Sequence, residues 1–243
     1  MFTNLYVSYL TRSIISLAKS NPKMKNPFPL IRHFSRPISA ILIKLPITPN
    51  QITTTSLLLG VTGSICFLSS KAEDQIIGSL ILLTSYILDN CDGEVARYKN
   101  LTSTFGEKFD TFVDWIVHAL FFTALGYGTA QETGNNTWLW IGLVGSMGAT
   151  INYLIVTFLK SYKNDNGQSQ EVKLPITLTT RIIFIFRETF RSDFCFIVLI
   201  LVLTNFLWIL LPAAAIGAQV YWIMAIITHQ KKYDVESPKK GTR

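Results

Sequence analysis

Charge is what this sequence has least of. Only 15% of its 243 residues are Asp, Glu, Lys or Arg, against about 25% in a soluble domain. That shortage leaves too few polar side chains to cover a soluble surface. It also excludes a disordered chain, which needs low hydrophobicity and high charge. Acidic residues are scarcer than basic ones, 15 against 22, a net charge of +7 within 49% apolar residues. This balance excludes a basic nucleic-acid-binding domain. Cysteine is scarce as well. Cys66, Cys91 and Cys195 have no C-x-x-C or C-x-x-H spacing and form no even set. Neither a disulfide framework nor a zinc site follows from them. No internal repeat or low-complexity tract is present.

Long apolar runs are present, and a spanning helix needs about 20 mostly apolar residues. Six segments qualify: 53–70, 76–97, 105–129, 137–159, 193–209 and 211–228. The division between the last two rests on Asn205 and Pro212, with one long broken segment as the alternative. Charge placement supports six. Of the 22 Lys and Arg, 21 fall on one side of a six-span chain and only Lys71 on the other. Cytoplasmic loops are enriched in Lys and Arg, so both termini are expected in the cytoplasm. The expected architecture is an all-α, multi-pass integral membrane protein of the cell (inner) membrane.

Three regions follow: an N-terminal cytoplasmic segment 1–52, a membrane domain 53–229 and a polar tail 230–243. Residues 1–52 lack the plan of a signal peptide, because basic residues from Arg12 to Lys44 interrupt every apolar stretch. Within them, Arg32 and Arg36 stand beside an apolar face of Ile31, Phe34, Ile38 and Ile41. That pattern predicts an amphipathic helix lying in the headgroup plane. A solvated basic leader is the alternative.

Four aspartates stand in or beside the second and third spans: Asp89, Asp92, Asp110 and Asp114. A charge at the bilayer centre costs about 2.5–3.5 kcal/mol on insertion scales, so such groups point to function. At about 100° per residue, Asp89, Asp92, Gly93, Ala96 and Arg97 share one stripe. Gly106, Asp110 and Asp114 share another. Two antiparallel helices joined by the short turn 98–104 can bring the two stripes together. Clustered carboxylates repel unless cations lie between them, and hard oxygen ligands suit Mg²⁺ or Mn²⁺. Two ions sharing four aspartates fits. Gly93 and Ala96 keep the helix surface low for a ligand, and Arg97 offers a planar fork to a phosphate. A polar helix pair sealed by Asp–Arg and Asp–Lys bridges would leave four aspartates short of cations. An ion-coupled transporter, which also places acids at the midplane, does not need the Gly–x–x–Ala–Arg element.

The run Asp89-Asn-Cys-Asp92-Gly93-Glu-Val-Ala96-Arg97, followed by Gly106, Asp110 and Asp114, resembles the signature of the CDP-alcohol phosphotransferases, D–xx–DG–xx–AR–x8–G–xxx–D–xxx–D. Pro49-Asn50-Gln51-Ile52-Thr53 is similar to that family's short element before the first span. The resemblance implies a six-helix membrane enzyme, a homodimer, that transfers a substituted phosphoryl group from a CDP-linked alcohol to a second alcohol and releases CMP. CDP-diacylglycerol is the commonest donor, and phospholipid synthesis the commonest use. A soluble polyol phosphodiester, such as an inositol phosphate product, is the alternative. By resemblance, Asp89, Asp92 and Asp110 bind two divalent ions, and Asp114 contacts one ion and acts as general base. Asn50, Thr53, Gly93, Ala96, Arg97 and Ser103 would hold the cytidine diphosphate. Trp115 departs from the pattern, because many relatives carry a basic residue there.

Six basic residues between the fourth and fifth spans could clamp a phosphorylated acceptor. Arg187 and Arg191, four apart and next to Asp193, are the candidates chosen. Topology and lipid headgroup contact is the plainer reading of that basic segment. His118 shares a face with Asp114, where an interhelical polar contact is the simpler role. An intramembrane prenyltransferase would also use aspartates and Mg²⁺, but with two separate aspartate-rich motifs.

Overall fold

The computed structural model describes residues 30–165, 193–219 and 222. Residues 1–29, Lys173, Arg181, Arg187, Arg191 and the tail from Gln230 lie outside the described residues. Those described form helices and their connections, with no strand among them. The helices are α1 (Ile31–Leu42), α2 (Pro49–Cys66), α3 (Ala72–Lys99), α4 (Thr104–Thr133), α5 (Thr137–Asp165) and α6 (Phe194–Leu203). A seventh, α7 (Leu207–Gln219), opens with the 3₁₀ turn Leu207–Ile209. Among the described residues, α4 and the Thr137–Ile155 part of α5 are long and apolar enough to cross a membrane.

The helix ends follow local chemistry. The helix expected from residue 53 begins at Pro49, because Thr48 and Gln51 form a capping box. The Thr48 hydroxyl accepts from the Gln51 N–H at 3.4 Å, and the Gln51 side chain accepts from the Thr48 N–H at 2.9 Å. Pro49 then occupies a first-turn position that needs no N–H donor. α3 stops at Asn100, whose φ of 56° is left-handed. Ser103 caps α4 by accepting from the Gly106 N–H at 3.0 Å. The break expected between the last two apolar segments falls at Asn205, again left-handed with a φ of 59°. Pro212 lies inside the helix that follows.

α2 packs against both α3 and α4, α5 packs against α4, and α1 and α6 pack against α3. α3 and α4 themselves make almost no close backbone contact. Small residues allow the tight crossings. A Cβ on Gly60 of α2 would sit 2.5 Å from Val117 of α4 and 3.0 Å from Ser85 of α3. Gly126 and Gly142 bring α4 and α5 together so closely that a Cβ on Gly142 would lie 2.5 Å from the Phe122 carbonyl. Polar bonds add to this packing: Ser85 donates to the Ser56 carbonyl at 2.7 Å. The main core gathers Phe67, Leu82, Phe121, Leu125, Val198 and Leu211.

α1 packs on the bundle largely through small residues. Its buried residues are Ile31, Ser35, Ser39 and Ala40. Phe34 and Ile41 are 51% and 53% exposed. Small side chains let α1 lie close against α3, where Ser35 donates to Glu94 at 3.1 Å. The Phe34 and Ile41 edge is left facing outward. The N-terminus of α1 is held from far along the chain. Both oxygens of the buried Asp193 accept backbone N–H groups, from Leu30 and Ile31, each at 3.0 Å.

Candidate active site

The two stripes predicted from helical periodicity do face one another. One oxygen from each of Asp89, Asp92 and Asp110 lies within 4.8 Å of the others. Two oxygens on opposite sides of one Mg²⁺ are about 4.2 Å apart, from metal–oxygen distances of 2.0–2.1 Å. The cluster therefore has the size of a single coordination shell, a few tenths of an ångström open. Its donors are all hard oxygens, the set that suits Mg²⁺ or Mn²⁺. The residues present fit a divalent cation.

α3 and α4 make almost no close backbone contact, so the carboxylates meet in the space between the two backbones. α2 fills one side of that space. From it, Thr53 donates its hydroxyl to Asp92, which is buried at 6% exposure. The role expected for Thr53 was donor binding; its observed partner is an aspartate of the cluster. Asp114 stands one turn beyond Asp110 and lines an adjoining cavity with Asp89, Ser56, Ser85, Tyr86 and His118. The free volume there is about 10 Å³, close to the room one water needs.

The remaining expected residues gather at the same end. A Cβ on Gly93 would lie 3.2 Å from Nη1 of Arg97, so the guanidinium folds back over the bare glycine backbone. A Cβ on Gly106 would meet Ser103 Oγ at 3.2 Å and Asn50 Oδ1 at 3.5 Å. Asn50, Ser103 and Gly106 thus form one group, where the N-termini of α2 and α4 come together. Helix N-termini favour anions. The Ser103 oxygen is engaged as a cap, which leaves its hydroxyl proton as the group it can offer. The Ala96 carbonyl accepts the Leu101 N–H at 2.9 Å and closes the end of α3. Lys99 donates to the carbonyls of Leu45 and Ile47, at 2.8 and 2.9 Å, and ties down the α1–α2 connection.

Trp115 turns away from the carboxylates. It stacks on Tyr153 with ring centroids 4.9 Å apart and donates to Thr150 at 3.0 Å, so it belongs to the α4–α5 contact. His118 has the interhelical polar contact that was the simpler expectation, with Tyr86 as its partner at 2.9 Å. Sequence reasoning missed Tyr86. Its signal was present, since it precedes Asp89 by three residues and so shares that helical stripe.

Comparison with known proteins shows the family and the fold. The family model for CDP-alcohol phosphatidyltransferase matches residues 46–228. The bifunctional IPC transferase and DIPP synthase of Thermococcus kodakarensis is 28% identical over 210 residues, covering 82% of this chain and 45% of that protein. The archaetidylinositol phosphate synthase of Pyrococcus horikoshii is 35% identical over 112 residues, covering 45% of this chain and 54% of that protein. The chain thus spans about half the length of these curated relatives. The crystal structure of Mycobacterium tuberculosis phosphatidylinositol phosphate synthase with CDP-DAG bound has the same fold, with a TM-score of 0.50. It is 22% identical and covers 78% of this chain and 91% of that one. The family model covers the carboxylate stripes, the Asn50–Thr53 turn and the helices that carry them, and the chain belongs to the CDP-alcohol phosphatidyltransferase family.

Proposed function

We propose that this protein is a membrane transferase that moves a substituted phosphoryl group from a CDP-linked alcohol to the hydroxyl of a second alcohol. The observation that carries this reading is the oxygen cluster of Asp89, Asp92 and Asp110 within 4.8 Å, with Arg97 further along the same helix as Asp89 and Asp92. In the reaction the acceptor oxygen forms a new bond to the donor's distal phosphorus. The bond from that phosphorus to the bridging oxygen breaks, and CMP leaves with that oxygen. Two Mg²⁺ or Mn²⁺ ions, when bound, would supply charge stabilisation for the diphosphate and the departing oxygen.

The chain's own residues supply the rest. Asp89, Asp92, Asp110 and Asp114 hold the ions. Thr53 fixes the rotamer of Asp92 through its hydroxyl. Arg97, lying over Gly93, presents its guanidinium to the diphosphate. Gly93 and Ala96 leave room for the nucleotide, while Asn50 and Ser103 offer polar contacts to it. Asp114, one turn past Asp110, takes the acceptor proton. The acceptor is a phosphorylated polyol, with Arg187 and Arg191 as its cationic contacts. The name of the Pyrococcus relative, archaetidylinositol phosphate synthase, supports that class.

The donor is CDP-diacylglycerol, which would make a phospholipid. A second reading is a soluble polyol phosphodiester, such as an inositol phosphate product, made by the same chemistry from a CDP-linked polyol. We place six spans in the cell membrane, with α1 in the interface and the site and both termini facing the cytoplasm. Like the family, the protein acts as a homodimer.

The test is direct. Purified protein with Mg²⁺ is offered CDP-diacylglycerol or a CDP-linked inositol, each with inositol phosphate, and the products are read by mass spectrometry. CMP and one phosphodiester are expected, and chelation by EDTA abolishes both. Absence of CMP from both donors with Mg²⁺ and with Mn²⁺ would falsify the reading.

A further inference from the structure

The two helices that carry the carboxylates make almost no close backbone contact; α2 packs on both, and between them they meet through side chains. A hydrogen bond joins them beside the carboxylates. His118 Nδ1 lies 2.7 Å from the carbonyl of Asp114. A carbonyl only accepts, so Nδ1 carries the ring proton. Nε2 of the neutral ring is then an acceptor, and the Tyr86 hydroxyl, 2.9 Å away on α3, donates to it. The two rings also meet edge to face, with centroids 5.8 Å apart. Phe194 of α6 backs both, at 6.3 Å from Tyr86 and 5.3 Å from His118. Tyr86 and His118 line the same small cavity as Asp89 and Asp114. Neither belongs to the aspartate signature.

We propose that the Tyr86–His118 hydrogen bond is a strut between α3 and α4 that positions Asp89 and Asp92 against Asp110 and Asp114. The register supports this. Tyr86 precedes Asp89 by one turn, and His118 follows Asp114 by one turn, so the strut sits immediately behind the carboxylates on both helices. Its second bond, to the Asp114 carbonyl, fixes the tautomer that Tyr86 requires. Tyr86 and His118 are positioning residues that act through the aspartates. The strut itself rests on the contact geometry, and its consequence for metal binding rests on the proposed function.

Two measurements test it on the purified full chain. The first is Mn²⁺ affinity by calorimetry, with no donor present. Tyr86→Phe and His118→Asn are expected to weaken Mn²⁺ binding about tenfold, the scale of lost supporting contacts around a metal. In His118→Gln the amide oxygen can take the place of Nε2, and affinity is expected to return to within about twofold of wild type. The second is the distance between spin labels at the exposed positions Thr84 on α3 and Leu120 on α4. Its distribution is expected to broaden in Tyr86→Phe and to stay narrow in His118→Gln. Tyr86→Phe removes one oxygen atom and keeps the ring against Phe194, so its melting curve checks folding. An unchanged label distance in Tyr86→Phe overturns the strut. So does rescue by His118→Asn and not by His118→Gln, which would assign the effect to the Asp114 carbonyl contact alone. Asp89→Asn is the control for the metal reading. If it binds Mn²⁺ like wild type, the proposed function fails, and the strut is judged by the label distance.

Discussion

The roles proposed for Asp114 and Gly93 are of opposite kinds, and each can be separated from folding by one substitution. Asp114 lines the cavity next to Asp89 but lies outside the three-oxygen cluster of Asp89, Asp92 and Asp110. Exchanging it for Asn removes a proton acceptor while keeping the volume. Asp114→Asn is therefore expected to lower kcat about 10²–10⁴-fold, the usual contribution of a general base, with donor binding changed only a few-fold. Turnover as CMP release and donor affinity by calorimetry decide this together; wild-type turnover in the variant refutes the base assignment. Gly93 works by what it lacks. A Cβ there would stand 3.2 Å from Arg97 Nη1 and shift the guanidinium from its present seat by a few tenths of an ångström. Ala also favours a helix over Gly by about 0.8–1 kcal/mol. Gly93→Ala should thus hold or raise the melting temperature while raising the donor KM about tenfold, as expected when a charged hydrogen bond is displaced. A fall in both would show that the glycine serves packing and not Arg97.

Among the elements, α1 owes its place to a contact that sequence alone does not reveal. Asp193 is 2% exposed and gives both oxygens to N–H groups at the start of α1. A carboxylate at a helix N-terminus also meets the positive end of the dipole. Asp193→Ala orphans two donors, each worth about 1–3 kcal/mol when buried without a partner. Hydrogen exchange over residues 31–42 is expected to quicken sharply in that variant and partly in Asp193→Asn, which keeps one acceptor oxygen. Equal protection in all three proteins would mean that α1 is held by its face alone. The contrast with the aspartate stripes shows what a sequence can reveal. Asp89, Asp92, Asp110 and Asp114 were legible because their spacing within a helix obeys one fixed period. The Thr48–Gln51 capping box was equally local and could have been read, since a Thr followed three residues later by Gln, with Pro between, starts a helix. Asp193 and α1 lie 162 residues apart, and no period connects them. The buried face of α1 was hidden for another reason. Hydropathy favours Ile and Phe for burial, whereas close helix contact favours small residues such as Ser35 and Ser39. The same limit applied to Tyr86 and His118, whose pairing depends on how far α3 and α4 stand apart.

At the scale of the whole molecule, the contacts divide the bundle into two ends, and the proposed topology assigns each end a side of the membrane. Lys99 binds the Leu45 and Ile47 carbonyls, so the α1–α2 connection and the α3–α4 turn share one end with the carboxylates. At the other end Gly128 of α4 packs on the backbone of Phe67 and Leu68 that follows α2. The α4–α5 connection, with its left-handed Gly134, lies beyond it. Arg97, Lys99 and Lys108 cluster at the first end, whereas the loop between α4 and α5 holds no Lys or Arg. In the proposed topology, positive-inside sorting turns the carboxylate end to the cytoplasm, where nucleotide-linked donors are found. Thr102 and Asn136 are exposed at opposite ends and serve as reporters once Cys66, the least buried native cysteine, is replaced by Ser. In sealed cells, Asn136→Cys is expected to react with a membrane-impermeant maleimide from outside, and Thr102→Cys only after permeabilisation. Reaction of both from outside would break the antiparallel arrangement of α4. The reverse pattern would place the carboxylates on the wrong side of the membrane for a cytidine diphosphate donor, and the transferase reading would fall with it.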